Sequence, residues 1–285
     1  MFPPRLALQV IREWTYSELL SKLPQDGRYL TGILVRPAGA PAFGWLPHGE
    51  PVHAGDDVLL YAIDKTNIAQ IGALNQEFDR HYYPPEIALQ PDEVELIRTC
   101  FPADGARVLE VCCGAGRLTG HLVRDGNRVA GLDFNRHCLV AARRRPGSPV
   151  DYVLGDATSL PFADASFDLT CCLENGFGVL FTLAVPALID MIRVTRPGGR
   201  VLLGLREQAG APDNVHCYLT ANGLLSIART FDDASVRALL AALPATAAAR
   251  IAARRDIPGA PRPWGGVTFY VELRLQGPTI DQIDR

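Results

Sequence analysis

Hydrophobic and polar positions form two different patterns along the chain, and the change comes near residue 90. From about residue 10 to 72, short apolar runs alternate with segments rich in proline and glycine, a pattern typical of short strands and turns. From about residue 91 onward, apolar runs of strand length alternate with segments of helical periodicity. The second pattern predicts an α/β domain whose parallel strands are joined by crossover helices.

The elements of the second region can be assigned in chain order. Strands are predicted over RVLEVCC, RVAGLDF, PVDYVLGD, FDLTCCL, GRVLLGL and GGVTFYVELRL, and helices over PDEVELIRTCF, GRLTGHLVRDG, NRHCLVAARRR, PALIDMIRVT and DDASVRALLAAL. RPGG is predicted as a tight turn, and Asn222 with Gly223 as the turn of a β-hairpin. TAAARIAARRD stays ambiguous, because alanine favours a helix while its position favours a strand.

Composition narrows the class of protein. The chain has 285 residues, of which 48% are hydrophobic, enough for a sizeable core. A formal net charge of -3 gives no general attraction to phosphate backbones, so a nucleic-acid substrate is disfavoured. Apolar runs are too short to span a membrane, and Arg12 and Glu13 fall where a signal peptide needs its apolar stretch. We therefore expect a soluble, cytoplasmic protein.

The seven cysteines show no CxxC pair and no zinc-ribbon spacing. Cys112 and Cys113 are adjacent, as are Cys171 and Cys172. Adjacent residues of a strand point to opposite faces, so neither pair suits a disulfide. We expect reduced thiols that act as small apolar fillers and no metal, and a metal cluster built from both pairs is the alternative.

The stretch VLEVCCGAGRLTGHL, residues 108–122, predicts a strand that breaks at a glycine turn and continues as a helix. Such a turn can hold a dinucleotide phosphate, a nucleotide or the amino-acid end of S-adenosylmethionine, or it can be only a tight corner. Counting from Gly114 and Gly116, a dinucleotide motif needs its third glycine where this chain has Thr119, and Gly120 comes one place late. A nicotinamide cofactor is therefore disfavoured.

Acidic side chains lie at the carboxyl ends of the predicted strands. Glu110 lies in the first strand, Asp133 ends the second, Asp156 ends the third, and Glu174 and Asn175 follow the fourth. Ligands of open parallel sheets bind outside these ends, where the strand order reverses, so the groups are expected to converge on one site. Taken singly, either aspartate could be a helix N-cap, and Glu110 could be one half of a buried ion pair.

Four motifs, VLEVCCGAG, GLDFN, GDATSLPFADASFD and RPGGRVLL, follow one another along the second region. On these motifs, in their order and spacing, residues 91 to about 275 resemble the class I S-adenosylmethionine-dependent methyltransferases. The resemblance implies a doubly wound, Rossmann-like sheet of seven strands. It also implies S-adenosylmethionine as the cofactor and transfer of its methyl group to an N, O or C nucleophile by in-line displacement.

The resemblance further implies a role for each matching residue. The backbone at Gly114 and Gly116 would approach the methionine part of the cofactor, Glu110 would orient its amino group, and Asp133 would bind the ribose hydroxyls. Cys112 stands where the family usually has its first glycine. The other implied cofactor contacts are Tyr83 ahead of the first helix, Cys113 in the turn, Phe134 beside the adenine, Asp156 and Ala157 at the adenine edge, and Leu173 and Glu174 after the fourth strand.

The candidate catalytic residues are Tyr82, Asn175 and His216. Tyr82 and Tyr83 lie in a segment that resembles the cofactor-covering segment of small-molecule members, where an aromatic face can attract a sulfonium. Asn175 could hydrogen-bond an acceptor, Glu174 could hold a cationic one, and His216 could act as a general base. The alternatives are core tyrosines and a structural histidine.

A small-molecule acceptor is expected. The N-P-P-Y/F motif of enzymes that methylate nucleobase amino groups is missing, and LENGFG occupies the corresponding place. Two other hypotheses stay open. The same fold and cofactor could carry out an intramolecular cyclisation or lyase reaction that releases methylthioadenosine, or the chain could be a non-catalytic S-adenosylmethionine-binding regulatory protein.

The first region carries the motifs EWTYSELL, GILVRPAG and HGEPVHAGDDVLLYAI. These are similar to the C-terminal ligand-binding domain of potassium-conductance regulators, the TrkA-C type, which implies a small α+β module that often dimerises. We therefore expect an accessory or dimerisation domain over 1–72, a linker and cofactor-covering segment over 73–90, and a methyltransferase domain over 91–285. A homodimer through the first of these is a further expectation.

Overall fold

The structure is a computed structural model. It describes strands of the first region and most of the second region. Described are residues 9–15, 18, 29–37, 53–54, 58–64 and 88–277, apart from 102–104, 124–125, 146–148, 175, 181–182, 208–213, 220–224 and 263–265. Tyr82, Tyr83 and Asn175 thus lie outside the described residues, and His216 is described in its backbone only.

The described elements follow the predicted order. The strands are β1 (Gln9–Thr15), β2 (Tyr29–Pro37), β3 (His53–Ala54), β4 (Val58–Asp64), β5 (Arg107–Val111), β6 (Arg128–Asp133), β7 (Val150–Leu154), β8 (Phe167–Cys172), β9 (Thr195–Glu207), β10 (Asn214–Leu219), β11 (Leu225–Arg229), β12 (Ile251–Ile257) and β13 (Val267–Leu275). The helices are α1 (Pro91–Cys100), α2 (Thr119–Leu122), α3 (Arg136–Arg143), α4 (Ala184–Val194), α5 (Asp233–Ala241) and α6 (Ala245–Ala248), with a 3₁₀ turn at Phe177–Val179.

Seven strands form the central sheet in the order β12-β13-β9-β8-β5-β6-β7. Neighbouring strands pair in parallel except at β13, which is antiparallel to both β9 and β12. The chain passes from β5 outward through β6 and β7, then returns to the other side of β5 with β8. The strand order therefore reverses between β5 and β8, which is the place where open sheets of this kind bind their ligands.

Apolar side chains cover both faces of this sheet, which confirms the doubly wound prediction. One cluster joins the sheet to α4 and α5 through residues such as Leu188 and Leu239, and another joins it to α1 through Leu96 and Ile97. The amphipathic patterns that predicted these helices therefore reflect packing on opposite faces. Among the described residues, none of the helices has the length and hydropathy that crossing a bilayer requires.

Three local predictions change in the structure. RPGG is not a turn before a strand but part of β9, where the β8 partner moves from Thr195 to Arg200, so that residues 196–199 form a bulge. Pro197 has no N–H to give to the ladder, which suits it to a bulge. The helix predicted from Gly116 begins only at Thr119, after a series of turns. TAAARIAARRD contains both predicted alternatives, the short helix α6 followed by strand β12.

A second, three-stranded sheet joins the two regions of the chain. Its order is β1-β10-β11, so a strand of the first region pairs with the predicted hairpin of the second. Both ends of the hairpin are buried, since Val215 and Phe231 are 0% exposed. The Phe231 N–H also donates to the Arg206 carbonyl of β9 at 2.7 Å. The predicted hairpin turn at 222–223 lies outside the described residues, and the domain boundaries at 72 and 90 stay predictions.

Candidate functional site

A tight turn follows β5 at the centre of the sheet. The N–H of Cys113 donates to the Leu132 carbonyl at 3.0 Å, and the N–H of Gly116 donates to the Cys113 carbonyl at 3.0 Å. Gly114 and Gly116 have φ angles of 53° and 71°, which glycine adopts without strain. Cys112 has a φ of 58°, a strained value for a residue with a β-carbon, so the departure from glycine at this place has a physical cost.

Asp133, the last residue of β6, lies beside this turn. One carboxylate oxygen accepts a hydrogen bond from the Gly114 N–H at 2.7 Å, and the other accepts from the Asn135 N–H at 2.8 Å. Burial raises the pKa of Asp133 above its usual value, and these backbone donors oppose the rise. A carboxylate has about four lone-pair sites, so it can accept hydrogen bonds from the hydroxyls of a ligand in addition to those from the backbone.

Glu110 lies in β5 and is 3% exposed. The Thr119 hydroxyl donates to its carboxyl at 2.5 Å. Burial raises the pKa of Glu110 to about 7, while this hydrogen bond and the positive charge of Arg117 oppose the rise. The group therefore changes its charge near neutral pH, and a cation placed next to it would favour the charged form.

The end of β7 contributes the third predicted acid. The Gly155 N–H donates to the carbonyl at the end of β6 at 3.1 Å, which holds the two strand ends together. Asp156 follows, and one of its carboxylate oxygens accepts from the N–H and the hydroxyl of Thr158 at 2.8 and 2.9 Å. This is the local turn that a loop aspartate commonly makes. Ala157 is buried next to it, and Phe134 is half-buried after β6.

Glu174 follows the buried Leu173 at the end of β8, and its backbone has a φ of 57°. Its carboxylate accepts from Arg262 at 2.9 Å, and the Arg117 guanidinium lies 3.7 Å away. Burial raises the pKa of Glu174 to about 7. The carboxylate that was predicted to hold a cationic acceptor is thus already shared by two cations of the chain.

Cys112 and Cys172 bring two thiols together where β5 and β8 end. Their hydrogen bond, together with burial, raises the pKa of the Cys112 thiol well above its usual value, and burial does the same for Cys113 and Cys171. Such thiols are weak nucleophiles. Six cysteines are free: Cys100, Cys112, Cys113, Cys138, Cys171 and Cys172. Within the described part of the chain, no three His, Cys, Asp or Glu side chains gather as metal ligands.

The structure brings part of the predicted set to one place. We call this place the switch-point site and define it as Glu110, residues 112–117, Asp133 and Glu174. His216 lies in β10, opposite Glu13 of β1 and Ala228 of β11. Its catalytic role stays a prediction, as do those of the residues outside the described ranges.

Two arginines, one in the switch-point site and one beside it, were not predicted from the sequence. Arg117 directly follows the glycine turn, a position that could have drawn attention to it. Arg262 lies in the connection between β12 and β13 and is distant along the sequence from every residue of the four motifs. Only the fold brings its guanidinium to Glu174.

Comparison with known proteins supports the architecture of this site. Residues 108–199 match the family described as a methyltransferase domain. The structure of an S-adenosylmethionine-dependent methyltransferase from Methanosarcina mazei aligns with a TM-score of 0.53 and 18% identity, over 68% of this chain and 100% of that one. The chain has a Rossmann-like methyltransferase fold. The family match covers β5 to β8 and so includes the whole switch-point site.

A second structure with the methyltransferase fold aligns over more of the chain. It is the 1,6-didemethyltoxoflavin-N1-methyltransferase of Burkholderia thailandensis, solved with that compound and S-adenosylhomocysteine. The TM-score is 0.51 at 20% identity, over 90% of this chain and 99% of that one. The match extends beyond the central domain, and at this identity it establishes the fold alone.

Curated relatives match over shorter stretches of the methyltransferase fold. Demethylmenaquinone methyltransferase of Beutenbergia cavernae is 42% identical over 100 residues, which is 35% of this chain and 40% of that protein. Malonyl-[acyl-carrier protein] O-methyltransferase of Erwinia pyrifoliae is 33% identical over 148 residues, 51% of this chain and 53% of that protein. The chain thus spans about half or less of the length of these relatives.

Proposed function

We propose that the chain transfers a methyl group from S-adenosylmethionine to a small-molecule acceptor. One observation carries the proposal. Where the strand order reverses, a glycine turn with left-handed backbone angles lies together with the Asp133 carboxylate and the Glu110 carboxyl. The methyltransferase fold supports it. So do the curated relatives, whose names specify methyl transfer to demethylmenaquinone and to malonyl-[acyl-carrier protein].

The switch-point site fits the parts of the cofactor. Asp133 would accept hydrogen bonds from the ribose hydroxyls with the lone pairs that the backbone leaves unused. Gly114 and Gly116 present no side chain, so the methionine part can lie against their backbone, and Glu110 can pair with its ammonium. Phe134 would flank the adenine. When bound, S-adenosylmethionine supplies a methyl group that its sulfonium activates for displacement.

The chain itself then has to place an acceptor atom in line with that methyl group and exclude water. Tyr82, Asn175 and His216 are proposed for the acceptor side, His216 as the base that would remove a proton from a neutral nucleophile. Asp156 is proposed for the adenine amino group, in addition to its local turn. The remaining proposed cofactor contacts are Tyr83, Cys112, Cys113, Ala157, Leu173 and Glu174.

The first region is proposed as an accessory part of the protein. Its TrkA-C resemblance, a homodimer through residues 1–72, and a cytoplasmic location all stay proposals. The pairing of β1 with β10 supports a closer connection between this region and the methyltransferase fold than an independent module would have.

The test is to incubate the purified chain with methyl-labelled S-adenosylmethionine and a small-molecule extract, and to identify the nucleoside product by mass spectrometry. S-adenosylhomocysteine together with a labelled metabolite is the expected result. Methylthioadenosine would instead support the cyclisation or lyase alternative. A chain that shows no affinity for S-adenosylhomocysteine by calorimetry would contradict both reactions.

Cofactor affinity is expected to rise with pH. The pKa of Glu110 is raised to about 7, so below that pH the ligand-free carboxyl carries a proton that has to leave before an ammonium can pair with it. We expect S-adenosylhomocysteine to bind about tenfold more tightly at pH 7.5 than at pH 6.0, a range in which an α-amino group stays largely charged. Titration calorimetry at the two pH values measures the change.

Glu110→Gln is the matched control for this prediction. The amide cannot ionise, so the variant should bind more weakly at pH 7.5 and show a much flatter pH dependence. Some dependence should remain, because the pKa of Glu174 is also raised to about 7. Equal affinities of the unmodified chain at both pH values would refute the role of Glu110.

A further inference from the structure

Arg262 is a fully buried cation beside the switch-point site. Its side chain is 0% exposed, although it belongs to the connection between β12 and β13. It donates to Asp92 of α1 at 2.8 and 3.0 Å, to Glu174 at 2.9 Å and to the Tyr270 hydroxyl at 2.9 Å. The same hydroxyl donates to Asp92 at 2.9 Å, which closes the network.

A second arginine extends this network to the glycine turn. Arg117, directly after Gly116, donates to both carboxylate oxygens of Glu93 at 2.8 and 2.6 Å. Glu93 is 1% exposed and also accepts from the N–H at the start of α1, at 2.7 Å. Glu174 lies between the two arginines. We call the set Arg117, Arg262, Asp92, Glu93 and Glu174 the arginine clamp.

The clamp joins three segments that the proposed function needs in fixed positions. These are the start of α1, the glycine turn and the segment after β8. Each charge of the clamp is close to opposite charges, and a buried charge that loses its partner is strongly destabilised. Glu174 also faces the like charge of Glu93, so both carboxylates depend on the arginines, and removal of one arginine should displace its partners.

The backbone of the segment after β8 is tightly constrained. Glu174 has a left-handed backbone, which a residue with a β-carbon adopts only where the surroundings enforce it. Its N–H lies so close to Gly204 of β9 that a β-carbon on that glycine would come within 2.7 Å of the nitrogen. The Glu174 side chain is in turn held by its hydrogen bond from Arg262.

We propose that Arg262 is a positioning residue of the methyl-transfer site, which holds the segment after β8 against the glycine turn through Glu174 and Arg117. The inference rests on the proposed function. Arg262 acts through other residues and is not assigned a contact with the cofactor. Its removal should alter the geometry of the turn that receives the methionine part, and it should release the segment that leads to Asn175.

The test uses the variants Arg262→Met and Arg262→Lys. For each, calorimetry at pH 7.5 measures the affinity for S-adenosylhomocysteine, and thermal unfolding measures the stability. We expect Arg262→Met to bind at least about tenfold more weakly, because loss of one hydrogen bond from the displaced turn to the ligand corresponds to a change of about this size. Lysine restores a charge but not the three-partner geometry, so it should recover part of the affinity. A role in stability alone would lower the unfolding temperature without changing the affinity.

The matched control is Arg200→Met. Arg200 binds the buried Glu272 at 3.1 Å and pairs with Leu169, on the side of β8 that leads away from the switch-point site. This variant loses an arginine that binds a buried carboxylate, although Arg200 is 25% exposed and Glu272 keeps Arg255 at 2.8 Å. Its affinity for S-adenosylhomocysteine should equal that of the unmodified chain. If Arg200→Met weakens binding as much as Arg262→Met does, or if Arg262→Met binds within twofold of the unmodified chain, the inference is wrong.

The pH profile supplies a second measurement. Glu174 faces Glu93, Arg117 and Arg262, so loss of Arg262 removes a cation that favours its charged form. The rise of affinity with pH should therefore move to higher pH in Arg262→Met, and the added change Glu174→Gln should remove that shift. If Arg262→Met does not fold, Asp92→Asn takes its place, because Asp92 binds Arg262 and has no assigned contact with the cofactor. It should weaken binding severalfold, and unchanged binding by it would overturn the inference. Failure of the unmodified chain to bind S-adenosylhomocysteine would instead contradict the proposed function.

Discussion

Replacing Asp133 by alanine will weaken S-adenosylhomocysteine binding by at least about a hundredfold. Two hydrogen bonds from ribose hydroxyls to a charged acceptor would be lost, each worth about 1.5–3 kcal/mol, and a tenfold change corresponds to about 1.4 kcal/mol. The change would also leave the Gly114 N–H without its acceptor at 2.7 Å, so the glycine turn would lose a restraint. Calorimetry with purified protein measures the loss.

Two further variants separate binding from stability. Asp133→Asn keeps the size of the side chain but turns one acceptor into a donor, so it should bind nearly as weakly as the alanine variant. Asp168→Asn is the control, because Asp168 lies at the amino end of β8 and pairs with Arg196 and with the Arg107 N–H at 2.7 Å. It should lower the unfolding temperature and leave binding intact. Binding by Asp133→Ala within fivefold of the unmodified chain would disprove the assignment.

Gly116→Ala should both destabilise the protein and weaken cofactor binding. Gly116 has a φ of 71°, where a β-carbon costs about 1–2 kcal/mol. That β-carbon would also overlap the Tyr152 hydroxyl and lie 3.0 Å from the Ala142 β-carbon, in a region that is already closely packed. Overpacking of this kind typically adds about 1–3 kcal/mol. The sum, roughly 3 kcal/mol, is measurable by urea unfolding.

Gly105→Ala is the control for the backbone contribution. Gly105 has a similar φ of 73°, but a β-carbon there would meet no atom within 4 Å. It lies before β5, at the opposite end of that strand from the switch-point site. The variant should show the strain cost alone, with unchanged affinity for S-adenosylhomocysteine. Equal destabilisation by the two variants would mean that the Tyr152 contact relaxes without cost.

The repeating pattern of strands and helices was predictable because it is local. Apolar runs such as RVLEV and FDLTCC are buried in the sheet, and helix starts carry their own signals, such as Asn135, whose side chain accepts from the Cys138 N–H at 3.0 Å. The prediction of RPGG as a tight turn was wrong for a local reason as well. Its proline and glycines favour a turn, but pairing with β8 on both sides of it makes it a bulge.

The cofactor side of the candidate site was also largely predictable. Glu110, Gly114, Gly116 and Asp133 occur in motifs close to strand ends, and parallel strands carry such ends to one edge of the sheet. Asp156 shows the limit of this reasoning. Its position at a strand end is as predicted, but the sequence could not show that its carboxylate accepts two hydrogen bonds from Thr158.

The sequence by itself determined the strand and helix order, the class of fold and the glycine turn with its acidic neighbours, because periodicity and turn chemistry act over a few residues. Only the tertiary structure decided which distant side chains complete the site. Arg262 reaches Glu174 across 88 positions of the chain, and β1 pairs with a hairpin some 200 residues later. Such contacts depend on the order of strands in the sheet and on the burial of charge, which no local pattern of residues specifies.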